Sequence, residues 1–338
     1  MEKIEDIHYN IITYIKDVPY NRLEINIKGK NIDSVIVNSI RRAILTYIPI
    51  YAFTKFNFTA NESIFNNNYI KLRLNNLPIL GITNNVDKIT PVKKLSNINE
   101  EEYETLNIEL EDDIEMENTD SINVNTSLNQ LTMYVDYKST DKAIVTVTTD
   151  DVKFYYGEKN ISSPYKTPIP IIKLQSEQSI SFSAISTLGT ETDSSIYSAV
   201  SVCFFKENND NDFDLILESR GQLTEDRIIE VAILNLISVI ENISGMIPED
   251  QIGHSGEIII NGENNTIGNL FSHCMQNHKS VKFAGYNIPH LLANKVVIHY
   301  ELINDTIKLI NVIDDITIYL IKLFNKILLL NKNMQVKK

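Results

Sequence analysis

The residues of this chain that could do chemistry are two cysteines, six histidines and one dense run of acids. Cys203 and Cys274 are far apart and each sits in an apolar pattern. Two thiols cannot build a disulfide framework or a four-sulfur zinc site, and they fit a reducing compartment. His273 and His278 lie near Cys274, a grouping that would suit a metal. His273 and Cys274 are neighbours, so on a helix they point in different directions, and no carboxylate completes a ligand set. His290 follows Pro289 with no nucleophile or carboxylate at a telling spacing. The run NEEEYETLNIELEDDIEMENTD, residues 99–120, is rich in carboxylates. Its polarity reads as a solvated loop rather than a fixed site for Mg²⁺, with a basic binding partner as the second reading. No phosphate-cradling glycine loop, paired-acid motif or metal triad stands out. On its own the chain reads as no enzyme.

Composition narrows the class further. The chain has 338 residues, enough for two or three domains with real cores. Its net charge of −13 argues against nucleic acid as the main partner, because phosphate neutralisation wants a basic surface. The N-terminus, MEKIEDIHYN, is charged and has no apolar core segment, so no signal peptide is read there. The most apolar stretch, Ile316 to Leu330, is broken by Lys322 and Lys326 and preceded by Asp314 and Asp315. No membrane span is expected.

The elements that position these residues follow from periodicity. Residues 20–29 alternate apolar and polar and predict a strand. Residues 31–48 predict a helix with Asn31 as cap, a stripe of Ile32, Ile36, Ile40, Ala43, Ile44 and Tyr47, and a stop at Pro49. Residues 50–58 and 69–74 predict strands. Residues 84–130 are polar, and 131–205 hold several short β-type runs separated by Gly, Pro and Ser. A strand at 213–218 and a helix from Thr224 to about Asn242 come next, then a linker-like stretch at 243–254. The pattern then returns: strand 256–261, helix 266–277 with Ile267, Leu270, Phe271, Cys274 and Met275 on one face, strands 280–286 and 295–303, and a terminal helix 305–331. Strand, helix, strands, terminal helix thus occurs twice, with roughly 85–205 inserted in the first copy.

Particular motifs turn this echo into a resemblance. Asn38-Ser39-Ile40-Arg41-Arg42-Ala43-Ile44-Leu45, closed by Ile48-Pro49, resembles the N-terminal helix of the bacterial RNA polymerase alpha subunit and of the third-largest eukaryotic polymerase subunit. Ala52-Phe53, Arg73-Leu74 and Leu77-Pro78-Ile79 agree with the segment beyond that helix. Ser181 to Ile185, Gly189 and Tyr197 to Val200 resemble that subunit's insert, although Tyr197 stands for a Trp, Ala199 for a Pro, and a His-Ala-Lys segment is absent. Phe213 to Leu236 resembles its return strand and helix. The last third is similar to the small eleventh subunit: Thr266-Ile267-Gly268-Asn269-Leu270 matches a helix start, and Val281 through Leu291 matches a strand and turn almost residue for residue. Such a fusion looks like the arrangement in large cytoplasmic DNA viruses.

The resemblance implies an α+β fold of two alpha-type dimerisation modules forming an intramolecular pseudo-dimer. The first module would span 1–84 and 206–244, the β-rich insert 85–205, the linker 245–254 and the second module 255–338. It implies a non-catalytic assembly platform of a DNA-directed RNA polymerase, with a structural or virion adaptor on the same fold as the alternative. Ile36, Ile40, Ala43 and Ile44 would pair with Ile267, Leu270, Phe271 and Cys274. Arg41 and Arg42 are adjacent, so both cannot lie in the stripe; read alone they are solvated, and the resemblance implies that they and Asn38 contact a large subunit. Gly268, Phe283, Gly285, Tyr286, Pro289 and His290 would be structural. Implied partners are the two largest polymerase subunits and small subunits of the tenth and twelfth types, with DNA met only through the complex and no membrane. The family's insert zinc is not expected, because no cysteine lies between 84 and 202. The implied location is intracellular and, for a virus, the virion and host cytoplasm.

Overall fold

The computed structural model describes residues 4, 7–15, 22–80, 131–140, 142–157, 159–247, 254–290, 295–304 and 306–335. The acidic run 99–120, the remainder of 81–130 and most of the expected linker lie outside the described residues. Along the chain come β1 (His8–Ile15), β2 (Arg22–Lys28), α1 (Ser34–Thr46), β3 (Ile50–Asn61), α2 (Asn67–Asn75), β4 (Leu131–Lys138), β5 (Val145–Thr148) and β6 (Lys153–Tyr156). Next are β7 (Lys159–Ile161), β8 (Pro170–Leu174), β9 (Ser179–Gly189), β10 (Val200–Asn209), β11 (Asp212–Ser219) and α3 (Glu225–Ser244). The last elements are β12 (Ser255–Asn261), α4 (Asn265–Gln276), β13 (Val281–Asn287), β14 (Lys295–Leu302) and α5 (Leu309–Gln335). The chain is therefore of mixed α+β class. It divides into two compact units, Met1–Ile50 with Gly189–Lys338, and Tyr51–Leu188.

The first unit contains one topology twice. β2, α1, β10, β11 and α3 follow the same order as β12, α4, β13, β14 and α5. In each copy the last strand lies between the other two, giving β2-β11-β10 and β12-β14-β13, with β1 added beside β2. The registers agree as well. Ile25 and Ile27 lie opposite Leu215 and Phe213, and Ile258 and Ile260 lie opposite Ile298 and Val296. Both edge strands slip register just after their first residue, between Val200 and Val202 and between Val281 and Phe283.

The second unit has a five-stranded sheet, β3-β9-β4-β6-β7, and a two-stranded sheet, β5-β8. In β9, Ile180, Phe182 and Ala184 are buried and alternate with half-buried serines, as a one-sided strand requires. Those residues join Phe53, Ile70, Leu74, Met133 and Phe154 in one core.

Two local expectations are corrected. The helix cap is Asp33, whose Oδ1 accepts from the Ile36 amide at 2.8 Å. Asn31 instead donates to the Tyr319 hydroxyl at 3.3 Å. Residues 69–74 are helical: Asn66 caps α2, and Ile70 and Leu74 are buried while Leu72 is 62% exposed. Their spacing fits both periods, and the buried pair at i and i+4 is the helical solution. The module boundaries also move. The described part of residues 51–84, expected in the first module, supplies β3 and α2 to the second unit, and β10 belongs to the first unit rather than to the insert. The interruption thus falls between α1 and β10. β1 has no counterpart among the strands expected from periodicity.

Gly268 lies where α4 meets its sheet. A Cβ there would stand 2.6 Å from the Tyr286 ring and 2.7 Å from Val296 Cγ1. Gly268→Ala should destabilise the chain by about 1–3 kcal/mol through overpacking. Urea denaturation measures this, and an unchanged midpoint would show that the ring can move aside freely.

Candidate assembly interface

α1 and α4 are the two helices whose stripes need an apolar partner, and they pack on each other. Ile36, Ile40, Ala43 and Ile44 are buried on α1; Ile267, Leu270, Phe271, Cys274 and Met275 are buried on α4. α3 packs on α5, and α1 on α3 and α4 on α5 close a group of four helices. Burying three or four large side chains per helix is worth on the order of 10 kcal/mol before entropy, at roughly 1.5–3 kcal/mol each. The residues named for the pairing helices are all buried, on two helices that pack on each other.

Polar groups tie the same helices at defined points. Arg42 Nε donates to Thr266 Oγ1 at 2.7 Å. His273 Nε2 lies 2.8 Å from Asp33 Oδ2. Asn235 donates to the Tyr47 carbonyl at 2.6 Å, which satisfies a group at the end of α1. On the far side Tyr9 donates to Asn331 Oδ1 at 2.9 Å, and Asn331 donates to the Asp226 carbonyl at 3.0 Å. Asn331 is 1% exposed, so this one amide joins β1, α3 and α5 out of water. Glu230 is held by Arg227 at 2.6 Å and Lys332 at 2.9 Å. Burial pushes its acid upward, but those two cations outweigh burial and keep it below the usual glutamate range.

The titratable groups are structural in character. Burial pushes the Cys203 and Cys274 thiols up to about 12, so neither is a ready nucleophile. His273, set aside as a metal ligand by sequence, faces Asp33. Among the described residues no three His, Cys, Asp or Glu side chains come together as a metal site. No helix among them is long and apolar enough to cross a membrane.

The arginines separate. Arg41 Nε donates to Asn38 Oδ1 at 3.0 Å on the half-buried side of α1, whereas Arg42 turns to the partner helix. Tyr286 packs over Gly268. Phe283 is 50% exposed on its edge strand, Gly285 lies beside it, and Pro289 and His290 are exposed beyond the strand. Tyr197 covers Gly189, where a Cβ would come within 2.6 Å of the ring. Sequence reasoning missed Asp33, Tyr9 and Asn331. Asn331 carried a faint signal, as an amide within the apolar face of the last helix.

The segment that carries α4 is similar to known proteins. Residues 255–328 match the family described as RNA polymerase Rpb3/Rpb11 dimerisation domain. That span runs from β12 into α5 and includes all of α4. A protein of Acanthamoeba polyphaga mimivirus, named a "putative DNA directed RNA polymerase subunit", is 26% identical over 328 residues, which cover 90% of this chain and 89% of the relative. Residues 255–328 are thus similar to an Rpb3/Rpb11 dimerisation domain. The matched segment supplies α4 and most of α5, and residues before it supply their packed partners α1 and α3.

The buried Tyr9–Asn331 bond is a sharp test of the packing. Asn331→Ala should cost about 1–3 kcal/mol by leaving a buried hydroxyl without its acceptor. Adding Tyr9→Phe should cost less than the sum of the two single changes. Strict additivity in urea denaturation would show that the bond carries no coupling.

Proposed function

We propose that this chain is a non-catalytic subunit of a multisubunit DNA-dependent RNA polymerase, in which two alpha-like modules pair within one polypeptide to form an assembly platform. The observation that carries the reading is the packing of α1 on α4, each the equivalent helix of one copy of a repeated topology. A pairing of equivalent surfaces is what a symmetric dimer does, and a fused chain keeps it as a pseudo-dimer. The similarity of the pairing segment to a polymerase dimerisation domain and of most of the chain to a viral polymerase subunit supports the same reading.

In this reading the platform binds the two largest polymerase subunits, together with small subunits of the tenth and twelfth types, and meets DNA only through the complex. The insert works without zinc. The location is intracellular, and the virion and host cytoplasm for a viral source. Domain limits follow the repeat: a first module interrupted by the β-rich unit, then a second module from about residue 255.

Asn38 and Arg41 are the better candidates for large-subunit contact, because Arg42 already bonds to Thr266. Arg suits the role through its planar fork, which matches carboxylate and backbone oxygens. Native mass spectrometry of the chain, affinity-purified from its native source, should show the two largest subunits in stoichiometric amounts. Recovery with virion structural proteins alone would replace the platform by an adaptor. Arg41→Glu should reduce recovery of a large subunit roughly tenfold, the effect of losing one charge-assisted contact, while leaving the thermal midpoint unchanged. Arg42→Glu should lower that midpoint as well. Undiminished recovery with Arg41→Glu would remove Arg41 from the contact.

A further inference from the structure

We propose that Asp33 with His273, and Arg42 with Thr266, are a matched pair of positioning contacts that set the register of α1 on α4. The proposal rests on the reading of this contact as the module-pairing interface.

The two bonds are equivalent under the repeat. Asp33 is the N-cap of α1, and Arg42 lies nine residues beyond it. Asn264 is the N-cap of α4, and His273 lies nine residues beyond it. The ninth residue of each helix bonds to the start of the other: His273 reaches Asp33 itself, and Arg42 reaches Thr266, two residues past Asn264. Nine residues span about 13.5 Å of helix. The helices therefore run in opposite senses past each other, with one bond near each end of the contact.

An apolar stripe cannot fix such a register by itself. Its side chains repeat every three or four residues, so a slide of one turn, about 5.4 Å, still presents apolar groups to apolar groups. The same slide breaks both polar bonds. Ile40 and Phe271 supply area, and the two bonds choose among the registers that area permits.

The Asp33–His273 bond is the charged member. Asp33 stands at the N-terminus of α1 and His273 in the last turn of α4, so each charge also suits its helix dipole. The hydrogen bond that His273 donates to Asp33 raises the His273 pKa above its ordinary value, against the opposing effect of burial. Burial pushes Asp33 up, but the bonds from His273 and the Ile36 and Val35 amides outweigh it and hold Asp33 low. Several other charged groups on or beside the elements packed against α4 have partners of their own. Arg41 bonds to Asn38, Asp315 lies 3.6 Å from His278, Glu301 holds Lys282, and His299 lies 3.3 Å from Glu257. Cys274 beside the ring does not titrate in the neutral range.

The raised histidine contributes stability that is complete below about pH 6.5, its unfolded value, and is lost as pH rises through its folded value. The lowered aspartate contributes stability present above about pH 4, its unfolded value, and lost as pH falls through its folded value. The pair is strongest between those limits.

The test uses the full chain. Asp33→Asn retains a side-chain acceptor for the Ile36 amide but removes the charge. Heteronuclear NMR should show His273 titrating above its ordinary value in the wild type and shifting downward in Asp33→Asn. The decline of the thermal midpoint between pH 6 and 8 should shrink in the variant, which loss of a mere packing contact would not produce. Combining Asp33→Asn with Thr266→Val should speed amide exchange across 34–46 and 265–276 roughly tenfold, and by more than the single changes together. An ordinary His273 titration in the wild type, or additive exchange in the double variant, overturns the proposal. Those results with the large subunits still recovered would sink the register role alone. A raised His273 in a chain that never recovers the large subunits would sink the assembly reading alone.

Discussion

The apolar contact between α1 and α4 is the constraint from which the rest of the first unit follows. Each copy of the repeat is a three-stranded sheet with two helices, and a helix lying on a sheet still has a second flank. Ile40 and Ala43 on α1, and Phe271 and Cys274 on α4, are fully or almost fully buried because the two copies lie together. A small sheet of three strands covers little area, so half of such a structure would leave too much apolar surface in water to be stable alone. The long helices α3 and α5 extend the same logic, and their contact draws in β1 through Tyr9 and Asn331. The repeat is therefore less two domains side by side than one core drawn from both.

This arrangement explains where the chain tolerates its interruption. In the second copy α4 passes to β13 through only residues 277–280, while in the first copy the equivalent passage holds the whole of Tyr51–Leu188. Nothing in the core depends on the length of that passage. β10 is placed by its ladder with β11 and by its packing on α1, not by the chain that leads into it. Loop-closure entropy rises only with the logarithm of length, so a folded unit can occupy the gap at modest cost.

The two helical stripes, the glycine of α4 and the doubled order of elements are legible in the sequence because each is a local pattern with one dominant period. β1 is not, because Tyr9 is its only fully buried residue among an exposed His8, Ile12 and Ile15, so no inward alternation exists to be read. α2 resembles a strand because Ile70, Leu72 and Leu74 satisfy a strand period as well as a helical one. The limit of the first module is hidden because β3 is a good strand in either unit, and only its partner β9, more than a hundred residues later, decides. Asp33 and His273 stand 240 residues apart, and no spacing rule connects them. Once α1 and α4 are known to pair, however, their shared nine-residue interval makes the position of both bonds intelligible.

In the proposed reading, fusion of the two modules changes what the interface must do. Two separate modules at micromolar concentration need enough binding energy to offset their lost translational freedom. Two modules joined through residues 245–254 meet at an effective concentration of roughly millimolar order, so the same contact can be weaker and still closed. Under that condition affinity is no longer the scarce property, and register is. Small buried groups such as Ser39, Ala43 and Cys274 let the helix backbones approach, and they grip little against sliding. The directional hydrogen bonds at the two ends then carry the part of the problem that apolar area cannot. In a chain whose cysteines are inert and whose charged groups bond to one another across helices, the polar chemistry serves geometry rather than reaction.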